Sequence, residues 1–135
     1  KQDIVFDWDK MLSFEGNSAP YLQYTYARAR SVLRKAGTEG ADVPVTVLTV
    51  KERHLLKLLF LFGETVEAAR REHLPHTLTT YLYELCQAFN SFYASDEILS
   101  TEGVSRDFRL HLTACTADIL KTGASILTLR VPERM

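Results

Sequence analysis

Tyrosine and basic side chains recur along one predicted helix, and their spacing places several of them on a common face. Across residues 20–36, a rotation of about 100° per residue groups four of them on one arc, namely Tyr21, Tyr24, Arg28 and Lys35. Tyrosine rings can stack on unpaired bases, while arginine and lysine can bind phosphates. The pattern is one that a surface for single-stranded RNA would use.

The same face has two other interpretations. Tyrosines at helical spacing often pack at the rim of a core with their hydroxyls in water. Tyr81, Tyr83 and Tyr93 on a later helix support the RNA interpretation, but each of them also fits packing in the core or at its rim. Tyrosine and arginine also anchor protein–protein interfaces, so the face fits a helical protein-interaction module as well. Tyr26 falls on the arc predicted to face the core, and Arg30 and Arg34 are interpreted as a solvated surface.

The composition is that of an ordinary globular domain. The 135 residues are 46% hydrophobic and 24% charged with a net charge of −1, which predicts one core and gives no global signal for nucleic acid. Two cysteines at helical apolar positions, Cys86 and Cys115, indicate buried, reduced thiols, and the four histidines lie outside any cluster with metal-ligand spacing. Without a signal peptide or an apolar run that could span a membrane, we expect a cytoplasmic protein.

Helical periodicity runs through nearly the whole chain and predicts an all-α bundle of five to six helices. Asp7 is a candidate N-cap, Thr49 and Glu52 form a capping box, and Gly37 and Gly63 mark helix ends. The predicted helices are residues 8–14, 20–36, 50–62, 64–73, 76–93 and 105–129, with 45–48 and 131–135 extended. The predicted core side of the last helix is Phe108, Leu112, Cys115, Ile119, Ile126 and Leu127.

Several blocks of sequence resemble a known family in the same order. The run LSFEGNSAPYLQY at residues 12–24 is followed by PH at 75–76, YLYEL at 81–85, FNSFY at 89–93 and VPERM at 131–135. Together they resemble the C-terminal, DALR-type anticodon-binding domain of arginyl-tRNA synthetases, a helical domain of class Ia synthetases. The resemblance covers essentially all 135 residues.

The resemblance implies that residues 1–135 are a single domain from the C-terminus of a larger synthetase, and that it binds the anticodon arm of arginine tRNA. By position in the family's motifs, anticodon contacts are implied for Tyr21, Tyr24, Arg28, Tyr81 and Met135. Asn17 and Gln23 match the opening motif as weaker candidates, and Lys35 joins them through its place on the tyrosine face.

The enzyme implied by the resemblance attaches arginine to tRNA with ATP, as part of protein biosynthesis. The family's ATP-handling motifs, of the His-Ile-Gly-His and Lys-Met-Ser-Lys types, do not occur in this sequence, and neither does a glycine-rich phosphate loop. We therefore expect no catalysis and no cofactor in this chain, with ATP and arginine bound by the catalytic domain. The expected partners are arginine tRNA and that domain. A monomer without membrane contact is expected, with weak self-association if the apolar residues near Trp8 are uncovered.

Overall fold

The regular structure of the chain is helical wherever it is described. The computed structural model describes residues 7–12, 16–44 and 47–135, and no strand occurs in these ranges. The helices are α1 (Trp8–Met11), α2 (Ala19–Ala36), α3 (Val50–Phe60), α4 (Phe62–Glu72), α5 (Pro75–Ser95) and α6 (Gly103–Ile126). The all-α prediction is confirmed. The predicted extension of the first helix through residues 13–14 and part of the predicted linker at 45–46 lie outside the described residues.

The predicted capping signals account for the end of α2 and the start of α3. The Ser18 side chain accepts from the Tyr21 backbone N–H at the start of α2, and Gly37 ends that helix in the left-handed conformation with φ 71°. At the start of α3, Thr49 and Glu52 form the predicted capping box, with each side chain accepting from the other's backbone N–H. These local bonds satisfy helix-end groups that would otherwise need water.

The break between α3 and α4 lies at Leu61, so the prediction of a break at Gly63 is wrong. Leu61 caps both helices with right-handed angles of φ −78° and ψ −5°, and Gly63 lies inside the first turn of α4. The Leu61 N–H is shared between the carbonyls of Lys57 and Leu58. A change of direction between two right-handed segments needs no positive φ, and therefore no glycine.

The core face of α6 differs from the predicted one. Leu112 is buried as expected, but Ile126 is 51% exposed, and much of the buried face consists of small or polar residues, including Thr113, Thr116, Ala117, Gly123 and Ala124. α6 packs against α2, α3 and α5 together, and small side chains allow this close approach. The buried hydroxyls of Thr113 and Thr116 donate to the carbonyls of Arg109 and Leu112, four residues earlier in each case.

The bundle holds α2 between α5 and α6, while α3 and α4 cover another side of α5. Tyr26, Phe89 and Phe92 are among the largest fully buried side chains at the centre. Gly40, with φ +74°, lets the loop after α2 lie directly on α6, because a Cβ atom there would be 2.1 Å from the Asp107 carbonyl oxygen. The arrangement leaves one face of α2 open beside the end of α5.

Three observations bear on other classes of function. Cys86 and Cys115 are free thiols; Cys86 is buried, as predicted, whereas Cys115 is only partly buried. Burial raises the pKa of Cys86 to about 12, so it is a core residue and not a nucleophile. Within the described ranges, no group of three or more His, Cys, Asp or Glu side chains is placed to hold a metal ion. In the same ranges, no helix combines the length and apolar character needed to cross a membrane.

Candidate nucleic-acid interface

An open cleft of about 360 Å³ lies between α2, the end of α5 and the C-terminal tail, residues 130–135. Four of the residues expected to contact RNA from the sequence line it together: Tyr24, Arg28, Lys35 and Met135. Leu99 and Val32 supply apolar surface between them. We call this the tail cleft. It brings residues from the start and the end of the chain to one place.

The guanidinium of Arg28 is held between two tyrosine rings at the edge of this cleft. Its central carbon lies 4.6 Å from the ring centroid of Tyr24 and 5.1 Å from that of Tyr93. Its Nη2 donates to the Tyr24 hydroxyl at 2.8 Å, and its Nη1 donates to Asn90 Oδ1 at 2.6 Å. Tyr24 and Tyr93 are still 40% and 43% exposed, so each retains ring surface on which a base could stack.

Positive charge is concentrated in the tail cleft although the chain is slightly acidic. Arg28, Arg34, Lys35 and Arg134 line it, and no acidic side chain is among its lining residues. Arg34 is exposed, as predicted, but it lines the tail cleft and not a separate surface. Clustered cations on a concave surface attract an anionic backbone even when the net charge of the chain is near zero.

A second cleft, of about 300 Å³, lies on the other side of Tyr21. Asn17, Tyr21, Thr79 and Tyr83 line it, so the structure brings the weaker candidate Asn17 next to Tyr21. The rings of Tyr21 and Tyr83 lie 5.6 Å apart at an angle of 58°. The predicted tyrosine face of α2 is thus divided between two adjacent clefts, with Tyr24 in one and Tyr21 in the other.

Glu133 fastens the C-terminal tail to α2. Its carboxylate accepts from the Tyr26 hydroxyl at 2.6 Å and from Arg30 Nε at 3.1 Å, and its backbone carbonyl accepts from Arg34 Nη1 at 2.8 Å. Burial, followed by the bond to Glu133, raises the pKa of Tyr26 to about 12, while the bond from Tyr26 lowers the pKa of Glu133. Tyr26 is therefore a core residue, as predicted, whose hydroxyl also holds the tail.

Gln23, a weaker candidate for RNA contact, binds the C-terminal tail. Its Nε2 donates to the backbone carbonyl of Arg130 at 2.7 Å, at the start of the tail. Together with the bonds to Glu133, this places Met135 at the tail cleft, where it remains 60% exposed. The implied role of Met135 thus depends on contacts with α2 that run the length of the tail.

Tyr81, which the resemblance implied as an anticodon contact, lies in the core. It is 6% exposed, its hydroxyl donates to the Leu58 carbonyl at 2.8 Å, and its ring packs against Phe62 at 5.9 Å between centroids. Burial raises the pKa of its hydroxyl. Because ring and hydroxyl are both occupied inside the protein, this placement contradicts the implied RNA contact.

Sequence reasoning did not select three residues that line the tail cleft. Tyr93 was left open between RNA contact and rim packing, Arg34 was assigned to another surface, and Arg134 was not singled out within the tail. The signals for Tyr93 were its residue type and its place in the block FNSFY at 89–93; no spacing rule relates the end of α5 to the middle of α2. Arg134 enters the cleft only because Glu133 is bound to α2.

The sequence between residues 22 and 135 matches the family model described as the DALR anticodon binding domain. The chain belongs to this family. The match includes α2 from Leu22 onwards, α3 to α6 and the C-terminal tail, and thus every residue that lines the tail cleft.

Relatives and solved structures agree with this assignment. The chain is 47% identical over 137 residues to an arginine–tRNA ligase of Klebsiella pneumoniae and 45% identical over 138 residues to that of Alteromonas mediterranea, in each case covering 98% of this chain and 24% of the relative. It also matches the structure of Thermus thermophilus arginyl-tRNA synthetase with a TM-score of 0.87 and 35% identity, over 100% of this chain and 24% of that one. The chain spans about a quarter of the length of the relatives it matches.

Proposed function

We propose that this chain binds the anticodon arm of arginine tRNA as the C-terminal domain of an arginyl-tRNA synthetase. The observation that carries the proposal is the tail cleft of a DALR-family chain, where Arg28 lies between the exposed rings of Tyr24 and Tyr93 beside Arg34 and Lys35. Stacking on such rings contributes about 1–3 kcal/mol per base.

Each residue has a role in this proposal. Tyr24 and Tyr93 stack on unpaired anticodon bases, and Arg28 contacts a base or phosphate at the edge of the stack. Lys35 and Arg34 hold the backbone, and Met135 packs against the loop. Tyr21 and Asn17 contact the neighbouring nucleotide from the second cleft. Gln23 acts indirectly by holding the tail, and Tyr81 has no RNA contact.

The larger enzyme, in this proposal, attaches arginine to tRNA with ATP in the cytoplasm. Its catalytic domain binds ATP and arginine, and this chain needs no cofactor of its own. The chain supplies binding energy and discrimination between tRNAs as one domain at the C-terminus, and its partners are arginine tRNA and the catalytic domain. We expect it to be a monomer, with Trp8, which is 68% exposed, as the place where weak self-association would begin.

Binding of the chain to an arginine tRNA anticodon stem-loop tests the proposal, with the same stem carrying a replaced anticodon as the comparison. We expect tighter binding to the arginine anticodon, and a steep loss of affinity with salt because phosphate contacts release counterions. Tyr24→Ala should remove the preference while the circular dichroism spectrum and melting temperature stay the same.

Two results would count against the proposal. Equal affinity for both loops would leave only a nonspecific RNA surface. If the affinity for the RNA stem-loop does not depend on salt, and the same face captures a protein partner, the protein-interaction module is favoured instead. An apolar interface is little affected by salt. The replaced-anticodon loop has the same length and charge, so it isolates the contribution of the bases.

A further inference from the structure

Asn90 on α5 connects the two clefts through three hydrogen bonds. Its Oδ1 accepts from Arg28 Nη1 at 2.6 Å, in the wall of the tail cleft. Its Nδ2 donates at 3.0 Å to the hydroxyl of Tyr21, a residue that lines the second cleft, and at 3.1 Å to Thr25 Oγ1. The side chain is only partly exposed, and it uses both ends of its amide inside the protein.

The orientation of this amide follows from its neighbours. A guanidinium has only donors, so the atom of Asn90 that faces Arg28 must be the oxygen. The nitrogen then faces Tyr21 and Thr25, and both hydroxyls must accept from it. Thr25 agrees with this assignment, because its own proton is donated to the Tyr21 backbone carbonyl at 2.9 Å. Arg28 thereby fixes, through Asn90, the direction of the hydrogen bond at Tyr21.

The Tyr21 hydroxyl accepts from Asn90, so its single proton points to another partner. Among the described residues, no group accepts that proton, and Tyr21 lines the second cleft. A hydroxyl with an occupied lone pair and an available proton presents itself to a ligand as a donor. It can bind a carbonyl oxygen or an unprotonated ring nitrogen, and it discriminates against an amino group at the same place.

We infer that Asn90 is a positioning residue that presents the Tyr21 hydroxyl as a hydrogen-bond donor, and that this donor selects an acceptor atom on an unpaired anticodon base. The inference rests on the proposed function for the identity of the RNA. It adds that Tyr21 recognises a hydrogen-bond acceptor atom on the base. It also adds that Asn90 determines this preference without touching the RNA.

Asn90→Asp reverses the hydrogen bond without changing the shape of the side chain. One carboxylate oxygen keeps the bond from Arg28, and the other presents an acceptor to Tyr21, so the tyrosine proton turns inward. Tyr21→Phe removes the hydroxyl altogether. The affinity of the arginine anticodon stem-loop is measured for the unchanged chain, for each single variant and for the double variant, with melting temperature as the check on folding.

We expect each single variant to weaken loop binding about tenfold, the factor that corresponds to one hydrogen bond. In the Tyr21→Phe background, Asn90→Asp should cost less than about twofold, because the hydroxyl that it reorients is already gone. Ser91→Asp, an exposed neighbour on α5, is the matched control for added negative charge. It should cost the same in both backgrounds.

A loss on Asn90→Asp that is equal in the two backgrounds, or no loss at all, would overturn the inference. If Asn90→Asp unfolds the chain, Asn90→Ala takes its place in the comparison with Tyr21→Phe and the double variant, because it deletes the donor to Tyr21. Failure of the proposed function looks different. The unchanged chain would then bind arginine and replaced anticodons equally, while the coupling between Asn90 and Tyr21 could still be read on either loop.

Stem-loops with one base removed and the phosphates retained show where the acceptor lies. Omitting the base that Tyr21 reads should abolish the coupling between Asn90 and Tyr21, and omitting any other base should leave it in place. Coupling that survives in every such loop would assign the acceptor to a phosphate or sugar oxygen, and would overturn the base-reading part of the inference.

Discussion

The hydroxyl of Tyr26, in the core, donates a 2.6 Å hydrogen bond to Glu133, two positions before the last residue of the sequence. Tyr26 is 2% exposed, so the bond joins the buried side of α2 to a segment without regular structure. Arg30 holds the same carboxylate from the outside. The tail is thus fixed from within the bundle, and the wall of the tail cleft that it forms depends on this carboxylate.

Replacement of Glu133 by alanine should release the tail and weaken RNA binding without unfolding the bundle. We expect a loss of about 1 kcal/mol in the free energy of unfolding, since one partnered hydrogen bond and an exposed ion pair are removed. Affinity for the arginine anticodon stem-loop should fall about threefold to tenfold, the cost of reordering the tail on binding. Urea unfolding measures the loss of stability, amide exchange at residues 131–135 measures the release of the tail, and titration with the RNA stem-loop measures the loss of affinity.

Glu39→Ala is the matched control for that experiment. Glu39 is the other carboxylate that pairs with Arg30, but it lies in the loop after α2 and does not hold the tail. We expect no change in tail exchange or loop affinity. If Glu39→Ala weakens loop binding as much as Glu133→Ala, net charge explains the effect, and the tail has no special role.

The attachment of the tail should depend on pH at both extremes. The bond from Tyr26 holds the pKa of Glu133 below its ordinary value of 4.5, so its stabilisation is complete above that value and is lost as pH falls through the lower folded pKa. The pKa of Tyr26 is raised from 10.0 to about 12, so its contribution is complete below 10 and is lost as pH rises towards 12. The tail should stay bound between these limits.

Methyl labelling of methionine can follow the tail in this experiment, because the chain has only two methionines, Met11 and Met135. The methyl signal of Met135 should sharpen at acid pH with a midpoint below 4.5. Glu133→Gln keeps a neutral acceptor for Tyr26 and should remove the acid transition. An acid transition that persists in Glu133→Gln would show that another group controls the tail.

Local rules predicted the helices well, and they failed where packing between helices decided the outcome. The capping box of Thr49 and Glu52 and the end of α2 at Gly37 depend on neighbours within four residues, which a sequence displays directly. The core face of α6 depends on how closely α2, α3 and α5 approach it. Reading it from large apolar residues missed the buried Thr113 and Thr116, whose hydroxyls are satisfied within the helix itself.

The residues of the tail cleft were likewise predictable where they lie on one helix, and not where two helices meet. Helical spacing grouped Tyr24, Arg28 and Lys35 correctly, because all three lie on one helix. Tyr93 reaches the same cleft from α5, and its meeting with Arg28 is a tertiary contact that spacing along the chain does not encode. The resemblance, in turn, assigned Tyr81 by position, whereas burial against Phe62 decides what that side chain can touch.

Tyr81→Phe tests whether Tyr81 is a structural residue. It removes the hydrogen bond to the Leu58 carbonyl inside the core, so the free energy of unfolding should fall by about 1–2 kcal/mol. Loop affinity should not change under conditions where both proteins are folded. Tyr24→Phe is the comparison, because the hydroxyl that it removes accepts an exposed hydrogen bond from Arg28, outside the core. A loss of loop affinity on Tyr81→Phe with stability unchanged would return Tyr81 to the RNA site.

Arg109 should be the charged residue on which folding depends most strongly. Its Nε lies 2.7 Å from Glu52 and its Nη2 3.6 Å from Asp96, and the exposed fractions of the three side chains are 15%, 5% and 9%. These contacts join α6 to the start of α3 and the end of α5. Arg109→Met would leave two carboxylates without their cation in a shielded place, which costs about 3–5 kcal/mol.

Arg70→Met is the surface comparison for Arg109→Met. Arg70 makes two hydrogen bonds to Glu67, but the side chains are 72% and 56% exposed, so water screens the pair and its loss should change the free energy of unfolding very little. Urea unfolding of both variants at one pH gives the two values. Similar costs would mean that water reaches the Arg109 cluster as freely as it reaches the surface pair. A large difference would show that the shielded Arg109 cluster contributes far more to stability than the surface pair.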